Sequence, residues 1–481
     1  MKVKRVEKKV RLGALALTLA LLCVGCSGAK DVPGAPERSK AGVESAQDQS
    51  GENEPGKDGK DAVEGTMAPA DSVEATGSSD STATPAPTDS PEPTATPAPT
   101  PSEEEIYADV VSRSLTYAGN NFRLKKVIEK LRAGEKISVA ILGGSITEGA
   151  GAGTNDKGYA FQFVQALGDT YAAKGMEQLN YVIPGLSGTP SVLGLMRYQQ
   201  DVVKPLGEVP DLLIIEFAVN DWQEATNGRA YESMVYEALS AKEDCAVIAL
   251  CSVAKTGWNA QDTYLPIVKH YQIPLVSLKD AVFVSGTKTR IAASQYFMDD
   301  YHPKFYGHQL MKDCLMNLLA QADAAEEDEA VAIPGNAVKG RDFAGLVQVD
   351  SKNQGKGLKV GSFGETDEKV VQMFFTKAAA FPNNFHHAAG AKNDPLKLTV
   401  SCSKILINYK TANDKNFGKA EIYVDGALVA TADGYSSGGW NNCNVLLVLD
   451  EAQAAKHTLE VKMAQDDADK AFTIFSISYA E

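Results

Sequence analysis

Between residues 137 and 278, short apolar runs alternate with stretches of helical character, and this alternation most constrains the fold of the chain. Ile137-Ser138-Val139-Ala140-Ile141-Leu142, Tyr181-Val182-Ile183, Leu212-Leu213-Ile214-Ile215-Glu216-Phe217, Ala246-Val247-Ile248-Ala249-Leu250 and Pro274-Leu275-Val276-Ser277-Leu278 read as strands. Residues 158–172 and about 190–204 read as helices. Strands apolar on both faces must be covered on both faces, which is the condition of a parallel sheet with helices above and below it. An α/β domain is therefore expected over residues 106–328. Ligands of such sheets sit at the carboxyl ends of the strands, which directs attention to the residues just after each run.

The pattern changes after Glu329. Residues 335–481 carry short β-rich runs at 369–375, 396–409, 419–425, 444–449, 457–463 and 471–479, with an Asp425-Gly426 turn signal inside a hairpin over 422–430. No long helix is expected there. An all-β sandwich domain follows, expected to assist polymer binding while standing apart from the chemistry. Tyr409, Tyr435 and Trp440 either form a stacking surface or belong to its core. Trp440 ends the run Tyr435-Ser436-Ser437-Gly438-Gly439 and is the best candidate for exposure. Cys402 and Cys443 either pair or stay free and buried.

The amino end is of another kind. Residues 1–11 are basic, with a net charge of +5, and a short apolar stretch runs from Leu12 to Val24 before Gly25-Cys26. That stretch is shorter than a membrane span requires, and the combination marks an export signal. Val24-Gly25-Cys26 resembles a bacterial lipobox, which implies a signal peptide over 1–26, lipidation at Cys26, and a chain exported to the cell surface and held on the membrane. Residues 27–105 have a net charge of −12, repeat Thr-Pro-Ala-Pro-Thr at 84–88 and 96–100, and hold too few large apolar residues for a core. They are expected to be a disordered acidic linker and a passive spacer. The formal charge of the whole chain is −15, which argues against a nucleic-acid partner.

Three strand ends and one late segment carry chemically distinctive residues. The first strand is followed by Gly143-Gly144-Ser145-Ile146-Thr147-Glu148-Gly149, the second by Leu186-Ser187-Gly188-Thr189 and the third by Ala218-Val219-Asn220-Asp221-Trp222. Asp299-Asp300-Tyr301-His302-Pro303 comes near the end of the domain. Together these blocks resemble the SGNH, or GDSL-like, hydrolase superfamily over roughly residues 107–325. The resemblance implies a three-layer α/β/α fold and hydrolysis of esters. It gives Ser145 the nucleophile's place, with Asp299 and His302 as its partners, and makes Gly188 and Asn220 oxyanion donors beside the Ser145 N–H. Three positions depart from the family pattern. Gly144 replaces the commoner Asp, Ile183 stands where Asn is usual, and Ala218 stands where Gly is common.

The residue types suit that chemistry. A serine hydroxyl needs a base to take its proton, and an imidazole titrates in the right range to accept it and pass it on. A carboxylate three residues from His302 would lie on the same side of one helical turn and orient the ring. His270 and His308 compete for the role of base, and Asp300 for that of orienter. Asp221 is expected to brace the Asn220 loop. Trp222 and Trp258 either line a pocket for an acyl or sugar group or pack in the core. Cys245, Cys251 and Cys314 fall in apolar surroundings and read as buried thiols. No cofactor or metal is expected.

These readings favour a surface-anchored serine esterase that removes O-acyl groups, above all acetyl, from a polysaccharide. The alternatives are a lipase, thioesterase or acyltransferase of the same fold, and a non-catalytic glycan-binding lipoprotein.

Overall fold

The computed structural model describes residues 101–222, 224–373 and 377–481. The signal segment, Cys26 and all but the end of the linker lie outside the described residues. Helix α1 (Glu103–Arg113) begins two residues before the expected end of the linker. Its start is set by a capping box: Ser102 Oγ accepts the Glu105 N–H, and the Glu105 carboxylate accepts the Ser102 N–H.

A six-stranded sheet follows, made of β1 (Leu115–Tyr117), β2 (Ile137–Gly143), β3 (Leu179–Val182), β4 (Leu212–Glu216), β5 (Ala246–Cys251) and β6 (Leu275–Ser277). Its order is β1-β6-β5-β4-β2-β3, parallel throughout except for β1 against β6. The chain steps from β2 outward to β3 and then returns to the other flank of β2 as β4. The strand order therefore reverses at β2, and a crevice opens beside its carboxyl end.

Helices α2 (Phe122–Arg132), α3 (Ser145–Glu148), α4 (Tyr159–Tyr171), α5 (Ser191–Tyr198), α6 (Lys204–Leu206), α7 (Arg229–Ala241), α8 (Gln261–His270), α9 (Leu278–Val282), α10 (Ala293–Tyr296) and α11 (Phe305–Ala324) complete the domain. A small hairpin of β7 (Phe283–Ser285) and β8 (Lys288–Thr289) separates α9 from α10. The pleat sorts strand residues to two cores. Val139, Ile141 and Ile214 meet Val127 of α2, Phe163 of α4 and Leu315 of α11 on one face. Ala140, Leu142, Leu213 and Ile215 meet Val192 of α5, Val235 of α7 and Tyr264 of α8 on the other. This is the layered α/β/α arrangement expected.

The C-terminal domain is all-antiparallel. It comprises β9 (Val347–Val349), β10 (Leu358–Lys359), β11 (Phe385–His387), β12 (Leu396–Ala412), β13 (Lys419–Val424), β14 (Ala427–Asp433), β15 (Trp440–Met463) and β16 (Phe472–Ala480). Strand order is β11-β16-β12-β15-β13-β14, with β10 on β12 and β9 on β16. The first half of β12 pairs β10 and its second half pairs β16, with a bulge near Cys402 between the two. The long strands thus pass from one layer to the other and enclose Ile405, Ile407, Leu459, Val461, Phe472 and Ile477.

Two expectations need correction. Among the described residues of 369–375, none belongs to a strand, and Gln372 makes an isolated pairing with Ala379. The runs 444–449 and 457–463 are parts of the single strand β15. Cys402 and Cys443 are free and buried, opposite Ala455 and Lys410 in the β12–β15 register.

The two domains share a core. Phe343, Leu406, Cys443 and Phe475 join the cluster that contains α5 and α7. Glu232 of α7 accepts the main-chain N–H groups of Val338 (2.8 Å), Gly340 (3.0 Å) and Lys339, which pins the connecting segment. Arg229 adds ion pairs to Asp342 at 2.8 Å and Asp450 at 2.6 Å.

Candidate active site

β2 ends at Gly143 and the chain turns at once into the short helix α3, so Ser145 stands at the carboxyl edge of the sheet, beside the reversal point. The turn is tight because neither glycine before Ser145 has room for a side chain. A Cβ on Gly143 would lie 2.6 Å from the Glu216 carbonyl oxygen, and one on Gly144 would lie 2.5 Å from Asn220 Oδ1. The Asn220 side chain occupies the space that a side chain at 144 would enter, so any residue with a Cβ there requires that amide to move.

Ser145 is nearly buried, with 8% of its surface exposed. Its Oγ lies 2.9 Å from His302 Nε2, and His302 Nδ1 lies 2.8 Å from Asp299 Oδ2. The other Asp299 oxygen accepts the N–H groups of Tyr301 and His302, each at 2.8 Å. Burial pushes the Asp299 carboxyl upward, but hydrogen bonds from the His302 ring and from these two N–H groups outweigh it. They hold the group below its ordinary value, as an acceptor for the ring N–H.

The expected helical turn at 299–302 is absent. Phe297 bridges to Pro303, and the Met298 N–H donates to the His302 carbonyl at 2.8 Å, closing a loop between α10 and α11. Pro303 disfavours helical backbone at His302, and Asp299 supplies the turn through its side chain instead.

The competing histidines are placed elsewhere. His308 is buried in α11 and stacked on Tyr159. Its Nδ1 accepts the Tyr159 N–H at 3.2 Å and its Nε2–H donates to the Ala150 carbonyl at 2.9 Å. Burial pushes it down to about 4. His270 lies at the end of α8, with Nε2 2.9 Å from the Asn336 carbonyl. Asp300 is exposed and extends toward Lys255, 4.0 Å away.

Gly188 adopts φ +70°, a conformation that favours glycine, in the loop after β3. The Leu186 N–H donates to the Gly143 carbonyl at 3.1 Å and Gly185 bridges to Gly143, so this loop lies against the carboxyl end of β2. Ile183 provides no polar tether. Other groups do so instead: Ser187 Oγ–H donates to Glu148, and Arg197 of α5 donates to the carbonyls of Pro184 (2.7 Å) and Gly143 (2.9 Å). Asp221 accepts the Ser191 N–H (2.7 Å), Ser191 Oγ–H (2.6 Å) and Tyr264 O–H (2.6 Å). It therefore braces more than its own loop, since Ser191 begins α5 three residues after Gly188. Burial and the nearby Glu224 push Asp221 up to about 7, against the pull of its hydrogen bonds.

Trp222 is 53% exposed and meets Trp258 edge-on at 5.2 Å, two residues beyond Asn220. Trp440, the first residue of β15, is 43% exposed and reaches Gly188 from the C-terminal domain. The C-terminal domain thus places one side chain against the loop after β3. Cys245, Cys251 and Cys314 are buried thiols, and burial pushes Cys245 and Cys314 up to about 12.

Residues missed by the sequence reading are Glu148, Arg197 and Glu216. Glu216 had a visible signal, a carboxylate at the end of an otherwise apolar strand. The other two had none, because their partners are main-chain carbonyls and a loop serine distant in sequence.

Residues 141–310 match the GDSL-like Lipase/Acylhydrolase family. No curated protein matches the chain in sequence. In structure, the chain is similar to a two-domain esterase active on acetylated mannans, with 25% identity and a TM-score of 0.66, over 77% of this chain and 98% of the other. The same esterase co-crystallised with mannopentaose gives 24% identity and a TM-score of 0.65, with the same coverage.

Proposed function

Because this chain is an SGNH-type, ester-hydrolysing enzyme with an accessory β-domain, we propose that it removes O-acetyl groups from a polysaccharide through a Ser145 acyl-enzyme. The observation that carries this reading is the unbroken hydrogen-bonded series Ser145–His302–Asp299, with Trp440 of the C-terminal domain against Gly188 in the loop after β3.

His302 Nε2 takes the Ser145 proton as Oγ attacks the acetyl carbonyl carbon. Asp299, already accepting the Nδ1–H, fixes the tautomer and stabilises the imidazolium. The Ser145 and Gly188 N–H groups and the Asn220 amide hold the tetrahedral oxyanion. Collapse breaks the bond to the sugar oxygen, which leaves with the proton from His302. Water then repeats the sequence on the acyl-enzyme and releases acetate. Aromatic faces suit the apolar faces of sugar rings, and a two-domain relative of the same architecture is described as active on acetylated mannans. Lipidation at Cys26 belongs to the same proposal, as the means of holding the enzyme at a surface where polymer arrives.

The test is acetate release from a panel of O-acetylated glycans by the full chain and by Ser145→Ala. Release by the wild type alone supports the reading. A wild type that cleaves long-chain esters but no acetylated glycan overturns it.

A further inference from the structure

Glu216 is the last residue of β4 and is fully buried. Its side chain accepts hydrogen bonds from Thr147 Oγ1–H at 2.9 Å and from the Ser252 hydroxyl. Thr147 Oγ1 is in turn 2.7 Å from the Tyr159 hydroxyl. The Glu216 main-chain carbonyl accepts the Gly144 N–H at 3.3 Å. One residue thus grips the chain immediately before Ser145 and two residues after it. The donors converge: Tyr159 to Thr147, then Thr147 and Ser252 to the carboxylate, an acceptor-only arrangement that suits the ionised form.

A buried carboxylate costs stability unless it is hydrogen-bonded. Burial raises Glu216 above its ordinary value, against the pull of the two hydroxyls and the Gly144 N–H.

We propose that Glu216 is a positioning residue for the nucleophile: it fixes the turn carrying Ser145 through Thr147 and Gly144. This inference rests on the Ser145–His302 reading above. Glu216 acts through other residues and touches no reacting atom.

The experiment is the steady-state kinetics of 4-nitrophenyl acetate hydrolysis by the full chain, its Glu216→Gln and Thr147→Val variants, and Ser145→Ala. Glu216→Gln is expected to lower kcat about tenfold or more with KM little changed, because the turn carrying Ser145 loosens while the groups that would hold substrate are left in place. Thr147→Val should lower kcat by a similar factor. A Glu216→Gln enzyme with wild-type kcat, or one whose loss lies in KM alone, overturns the proposal. If that variant does not fold, Thr147→Val with wild-type kcat overturns it instead. Activity remaining in Ser145→Ala would sink the reaction reading itself, an outcome distinct from both.

Discussion

Trp440, at the start of the C-terminal domain's longest strand, lies with its ring 3.1 Å from the position a side chain would take on Gly188, in the α/β domain's second loop. A residue of the accessory domain thus lies against the loop that carries Gly188. Trp440→Ala is expected to raise KM for an acetylated polymer about fivefold to tenfold, the loss of one stacking partner. The effect on a small aryl acetate should be smaller. Steady-state kinetics on both substrates checks this, and equal losses on the two would assign Trp440 to the loop alone.

Gly144→Asp would restore the commoner family residue, yet here it should inactivate the enzyme. Its Cβ would fall 2.5 Å from Asn220 Oδ1 and displace the amide. The expected loss in kcat is about 10²–10³, that of one oxyanion donor. A folded Gly144→Asp protein with wild-type turnover would show that Asn220 is not held where the hydrolysis needs it.

Asp221→Asn should act on the chemical step without touching substrate. The change leaves one of the oxygens that accept from Ser191 and Tyr264 and replaces the other with a donor, loosening the tie between the Asn220 and Gly188 loops. We expect kcat to fall about tenfold or more with KM held, read from small-ester kinetics. A change confined to KM would count against the bracing role.

His308 links the fold to pH. Its folded value, about 4, lies below the ordinary imidazole value of 6.5. Below pH 6.5 the unfolded chain takes up a proton that the native site refuses, so stability is present above that pH and is lost as pH falls toward about 4. The size is at most about 3 kcal/mol. Denaturant midpoints between pH 7 and pH 4 should show a shallower decline in His308→Gln than in the wild type. Parallel curves would mean that His308 does not contribute. The same variant should keep the chemical step, whereas His302→Ala should lose it, since His302 alone of the two meets Ser145.

The sequence determined the layered α/β sheet, because a strand such as Leu212–Phe217 has no polar face to offer water and must be covered on both sides. The segments carrying Ser145, Gly188, Asn220, Asp299 and His302 were legible as well, since each follows a strand or belongs to a short local motif. Only the tertiary structure decided how those residues are held. The Asp299–His302 spacing suggested a helical turn, but Pro303 and the Phe297–Pro303 bridge make it a loop whose turn is formed by the aspartate side chain. The missing second-block Asn is compensated by Arg197, Ser187 and Glu148, whose partners are main-chain carbonyls or side chains tens of residues away. The contact of Trp440 with Gly188 spans two domains. Periodicity and local motifs report which face of an element is buried and which residues turn the chain. Contacts between distant segments depend on how the layers pack, and no local pattern encodes them.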